Sequence, residues 1–136
     1  MIAELPGTDP KAGWICLGSH FDTKRMPFRL VGANDSASST AVLVELARVI
    51  AKGPKRAFSY RFAFFDGEEA TRHDWVGEDN TYGSRHHVKL LRESAKLESL
   101  KALVLLDMVG DKDLKLPADT LSDRRLLDLF TQAARD

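Results

Sequence analysis

Four short segments of this 136-residue chain place metal-capable side chains directly after apolar runs. They are His20-Phe21-Asp22, Asn34-Asp35-Ser36, the pair Glu68-Glu69 within Phe64-Phe65-Asp66-Gly67-Glu68-Glu69-Ala70, and Asp107 within Leu105-Leu106-Asp107-Met108. Histidine nitrogen and carboxylate oxygen are ligands that zinc accepts, and α/β sheets assemble sites at the ends of parallel strands. His20 and Asp22 are one residue apart and fall on one face of an extended segment, so one can hold a metal while the other orients it from behind. Glu68 and Glu69 point in different directions from an extended backbone. That suits a division in which one carboxylate binds metal and the other moves protons. Asp35 on its own reads as an N-cap before a helix, although a carboxylate there can also bridge two cations ~3.5–4 Å apart. Asp107 ends an apolar run, where a carboxylate without a partner is costly. His73, His86 and His87 lie in polar surroundings or open a helix and are expected at the surface.

Composition narrows the alternatives. Lysine and arginine balance aspartate and glutamate at 20 each, with no basic stripe or acidic tail, which argues against nucleic acid and a charged membrane surface as partners. No apolar run approaches the ~20 residues of a membrane span, and the N-terminus shows no signal-peptide pattern. Cys16 is the only cysteine, so cysteine-based zinc binding within the chain is ruled out. Its place in Trp14-Ile15-Cys16-Leu17 suits a small buried hydrophobe. No Walker loop, nucleophile elbow, dinucleotide fingerprint or HExxH motif occurs.

The elements that must position these residues alternate between strand and helix. Residues 2–5, 14–19, 58–65 and 102–106 read as strands, the last three as buried apolar runs. Residues 38–51 carry Val42, Leu43, Leu46, Val49 and Ile50 at helical spacing, and Lys52-Gly53-Pro54 stops the helix. Residues 84–94 predict a second helix anchored by Val88, Leu90 and Leu91. A third spans 122–134, with Leu126, Leu127, Leu129 and Phe130 facing inward. Residues 24–31 and 71–81 read as loops, the latter carrying Trp75. Such alternation predicts an α/β sheet covered by helices.

With these motifs in this order, the chain resembles the zinc-dependent aminopeptidase and glutaminyl cyclase superfamily. The likeness runs from Ile2 to the last helix. The cyclase branch is favoured by Phe65-Asp66-Gly67-Glu68-Glu69-Ala70 followed by Trp75, Asp79 and Tyr82-Gly83-Ser84-Arg85-His86, and by Leu105-Leu106-Asp107-Met108-Val109-Gly110. The resemblance implies a three-layer α/β/α domain with a mixed, mostly parallel sheet, one or two zinc ions, and peptide or protein N-termini as substrate. In an aminopeptidase, His20 and Asp107 would hold one zinc, Glu69 the other, Asp35 both, and Glu68 would be the general base. In a cyclase, Asp35 and Glu69 would hold one zinc with a distal histidine. Glu68 would then shuttle a proton while N-terminal glutamine closes to pyroglutamate, Asp107 would hydrogen-bond behind the ligands, and Trp75 would line the substrate pocket.

In both branches the resemblance implies a further histidine well after Asp107, and no histidine follows Asp107 here. The cyclase site therefore retains two protein ligands, whereas the set His20, Asp35 and Asp107 is complete. Residues 1–136 are accordingly read as one partial domain of this type. An inactive domain is the alternative, and homo-oligomerisation through an exposed sheet edge is expected. Relatives are often secreted or periplasmic, which leaves the compartment of this chain open.

Overall fold

The computed structural model describes residues 1–72, 74–117 and 119–135. Four strands form one sheet: β1 (Ile2–Leu5), β2 (Trp14–His20), β3 (Ser59–Phe65) and β4 (Leu100–Leu105), in the spatial order β1-β3-β2-β4. β1 runs antiparallel to β3, while β2 is parallel to both β3 and β4. The sheet is thus mixed and mostly parallel, as the family resemblance implies. β2 lies between two partners and is the most deeply buried strand, which explains its continuous apolar run.

Helices cover both faces. α1 (Ser39–Lys52) lies on the face of Leu17 and Ser19, where the Ser19 hydroxyl donates to Ser39 Oγ at 2.9 Å and Leu43 is fully buried. α2 (Tyr82–Glu93) lies on the opposite face. There Leu91 joins Trp14, Cys16, Ala63 and Phe65 in the core, and His87 packs its ring against Phe65 with centroids 5.8 Å apart. α3 (Arg124–Ala133) follows β4, and Asp123 caps it by accepting from the backbone N–H groups of Arg125 and Leu126.

Several expectations are corrected by packing. Among the described residues β4 is an edge strand with one partner, so none of its residues is buried, and Leu103 and Leu105 are 50% and 58% exposed. In α3, Leu126 and Leu127 are half-buried, but Leu129 and Phe130 face solvent because an open groove separates the helix from β4. Val42 and Val49 in α1, and Val88 and Leu90 in α2, are also exposed. Each helix meets the sheet along a narrower stripe than its apolar residues would allow. His87, expected at the surface, is half-buried under α2, and burial pulls its pKa down, assisted by Arg61. His73 lies outside the described residues.

Candidate metal centre

The carboxyl ends of β2, β3 and β4 open onto a single site. β2 ends at His20, which is 2% exposed. The Thr40 hydroxyl donates to its carbonyl at 2.7 Å and fixes it against the start of α1. Asp35 comes from an irregular turn, Ala33–Ser38, in which it alone departs from helical angles and the Asp35–Ser36 peptide is cis. It is therefore a turn residue aimed at the site and does not cap α1; the N-cap is Ser38. Ser36 ties the turn to the loop after β2 by donating to the Asp22 carbonyl at 3.1 Å. Asp107 follows β4, and its loop is pinned to the same turn. Gly110 N–H donates to Asn34 Oδ1 at 2.8 Å, and Val109 N–H donates to Ser38 Oγ at 3.2 Å.

These ties bring three ligand atoms together. His20 Nε2 lies 2.9 Å from an Asp35 oxygen and 3.5 Å from an Asp107 oxygen, and one atom from each residue falls within 4.8 Å of the others. His20 Nε2 and Asp35 Oδ1 are both buried, yet neither makes an aligned hydrogen bond despite being in contact. Buried polar atoms are normally satisfied. Two that converge without a shared hydrogen are disposed as ligand atoms around a cation are. The nitrogen and oxygen donors suit zinc, and the Asp35 and Asp107 side chains, 40% and 41% exposed, leave one side open. Burial disfavours charge on His20, but the carboxylates of Glu68, Asp107, Asp35 and Asp22 more than offset this and raise its pKa.

Asp22 supports the site from behind. Its carboxylate lies 3.4 Å from His20 Nδ1 and accepts the backbone N–H groups of Glu68 and Glu69, each at 3.0 Å. One side chain therefore fixes the two-glutamate turn by hydrogen bonds and stands at ion-pair distance from the histidine ring, whose Nδ1 makes no aligned hydrogen bond. That turn is shaped by Gly67, which has a positive φ of 65°. It is seated by Gly83, whose N–H donates to the Asp66 carbonyl at 3.0 Å where a Cβ would come within 2.4 Å of the same oxygen. Burial first, then the neighbouring acids against the opposing pull of His20, raise the pKa of Glu68 to about 7. A carboxyl group poised there can both accept and return a proton near neutrality.

Glu69 lies outside the three-residue group. One of its carboxylate oxygens is 3.9 Å from Lys24 Nζ, with both side chains largely buried. Trp75, 54% exposed, rides on the loop beyond. Asp79 holds that loop by accepting from Thr71 N–H and Oγ1, Arg72 N–H and the Tyr82 hydroxyl, at 2.6–3.2 Å. Lys24 escaped the sequence reading, although its alternation with His20 and Asp22 is a signal that it shares their face.

A mixed α/β sheet thus gathers a histidine and carboxylates at its strand ends into a group that could hold a metal ion. Residues 1–135 match the model of Peptidase family M28, and the chain belongs to that family. Its relatives place it on the glutaminyl cyclase side. It is 39% identical over 105 residues to a glutaminyl-peptide cyclotransferase of Drosophila melanogaster, covering 74% of this chain and 29% of the relative. It superposes on a glutaminyl cyclase from an Acidobacteriales bacterium with TM-score 0.91 and 38% identity, covering 98% of this chain and 45% of that one. The LapA aminopeptidase of Legionella pneumophila is also similar, at TM-score 0.63 and 30% identity, over 80% of this chain and 25% of that one. The chain thus spans less than half the length of these relatives.

Proposed function

We propose that this chain carries the metal-binding and proton-transfer residues of a zinc-dependent glutaminyl-peptide cyclotransferase acting on peptide or protein N-termini. The cyclase relatives carry this reading, and the convergence of His20, Asp35 and Asp107 at the strand ends supports metal binding by the chain. In that reading zinc held by Asp35 and Glu69, with Asp107 hydrogen-bonding behind the ligands, would supply Lewis acidity toward the γ-amide carbonyl of an N-terminal glutamine. Asp22 keeps His20 oriented. Glu68 takes a proton from the substrate α-amine as that nitrogen bonds to the γ-amide carbon, and returns it to the departing ammonia. The exposed ring of Trp75 offers an apolar wall for the substrate.

A second reading, aminopeptidase activity, is favoured by one observation. The three-residue group is the set that would hold one of the two zinc ions of an aminopeptidase, and it is assembled without Glu69. The test is calorimetric titration of zinc into the metal-stripped chain, followed by turnover of glutaminyl dipeptides against aminoacyl anilides. Zinc binding that weakens on His20→Ala, with ammonia released from glutaminyl dipeptides, is the expected result. Anilide hydrolysis alone would favour the second reading. Absence of zinc binding would leave these residues as inactive scaffold. We further infer a homo-oligomer built through the outer edge of β4, supported by the exposure of Leu103 and Leu105 there.

A further inference from the structure

The loop after β2 and the turn after β3 are joined by a residue outside the metal-ligand set. Lys24 Nζ donates to the carbonyls of Ala70 and Arg72, both at 2.9 Å, and stands 3.9 Å from Glu69 Oε2. Its side chain is 17% exposed and that of Glu69 12%, so this is a largely desolvated contact. An ammonium has three donors. With two fixed on backbone carbonyls, the ammonium is held in place and presents its charge to the Glu69 carboxylate. The backbone of Glu69 is fixed separately, through its N–H to Asp22. Residue 69 is therefore fixed at its main chain by an acid and faces a base at its side chain, and a charge attraction there would restrict rotamers that a free glutamate would lose on binding metal.

We propose that Lys24 is a positioning residue for the Glu69 carboxylate, setting zinc affinity through it; this rests on the reading of Glu69 as a metal ligand. The test uses the metal-stripped full chain and zinc alone, titrated calorimetrically into wild type, Lys24→Met, Lys24→Arg, Glu69→Gln and the Lys24→Met/Glu69→Gln double variant. Lys24→Met should weaken zinc binding roughly tenfold, the scale typical of groups that orient a ligand from behind. Lys24→Arg, which keeps the charge and the donors, should recover most of that loss. On the Glu69→Gln background Lys24→Met should have no further effect. The proposal is overturned if Lys24→Met leaves affinity unchanged while Glu69→Gln lowers it, or if its effect persists in the double variant. Unchanged affinity in Glu69→Gln would instead remove Glu69 from the metal, and the proposal with it. Should Lys24→Met fail to fold, Lys24→Gln takes its place in the same cycle.

Discussion

At the scale of single residues, burial decides what each ionisable group can do. Glu68 has its pKa raised from 4.5 to about 7, chiefly because burial penalises its charge, with His20 opposing and neighbouring acids reinforcing the shift. The folded state therefore holds this proton more tightly than the unfolded chain does. The stability it contributes is complete below about 4.5 and disappears as pH rises through about 7. The metal-stripped wild type should lose stability relative to Glu68→Gln across that window, by on the order of 1–2 kcal/mol after allowance for solvent screening. Thermal melts of the two proteins at several pH values measure the difference, and parallel curves would refute it. The Cys16 thiol, 1% exposed, is pushed up to about 11 by burial against the opposing pull of Arg61. A thiol reagent at mildly alkaline pH should leave native protein unlabelled and label it fully in denaturant. Rapid labelling without denaturant would contradict this burial.

Elements owe their placement to side chains that reach between loops. Asp79 is the main tie within the Trp75 loop, and hydrogen bonds from Thr71 and then Tyr82 hold its carboxyl well below the usual range. A depressed folded pKa stabilises above the unfolded value and is lost as pH falls through the carboxylate range. Asp79→Asn should lower the melting temperature by a few degrees near neutrality, and the gap from wild type should close on acidification. The same variant should speed amide exchange at Thr71 and Arg72, whose N–H groups donate to Asp79. Unchanged exchange there would show that the loop holds its shape without this carboxylate.

Taken as a whole, the molecule has a well-covered centre and an open side. β2 and β3 form the covered middle of the sheet, whereas β1 and β4 are its two edges among the described residues, pairing with β3 alone and β2 alone. Its exposed leucines line a cavity of about 810 Å³ beside α2 and the groove toward α3. An unpaired edge of this composition favours association. Light scattering should report a dimer or larger species, and Leu103→Lys with Leu105→Lys should shift it toward monomer. A wild type that stays monomeric at every concentration would defeat the inferred homo-oligomer. No helix of the described residues is long and apolar enough to cross a membrane.

The strand–helix order, the buried run of β2 and the metal-capable residues at three strand ends were legible in the sequence, because periodicity and residue type are local properties. Helix positions followed the same logic, with Tyr82–Glu93 starting two residues earlier than the pattern predicts. What the sequence left open depends on contacts between distant segments. The family resemblance already groups His20, Asp35 and Asp107, but only the tertiary structure shows the ties that hold them together, through Asn34 and Ser38 bonded to the 107–110 loop. Only it turns Glu69 toward Lys24 and leaves Leu129 and Phe130 facing solvent. A side chain's chemistry is written in its type, but its neighbours are fixed by long-range packing that no short window of sequence contains.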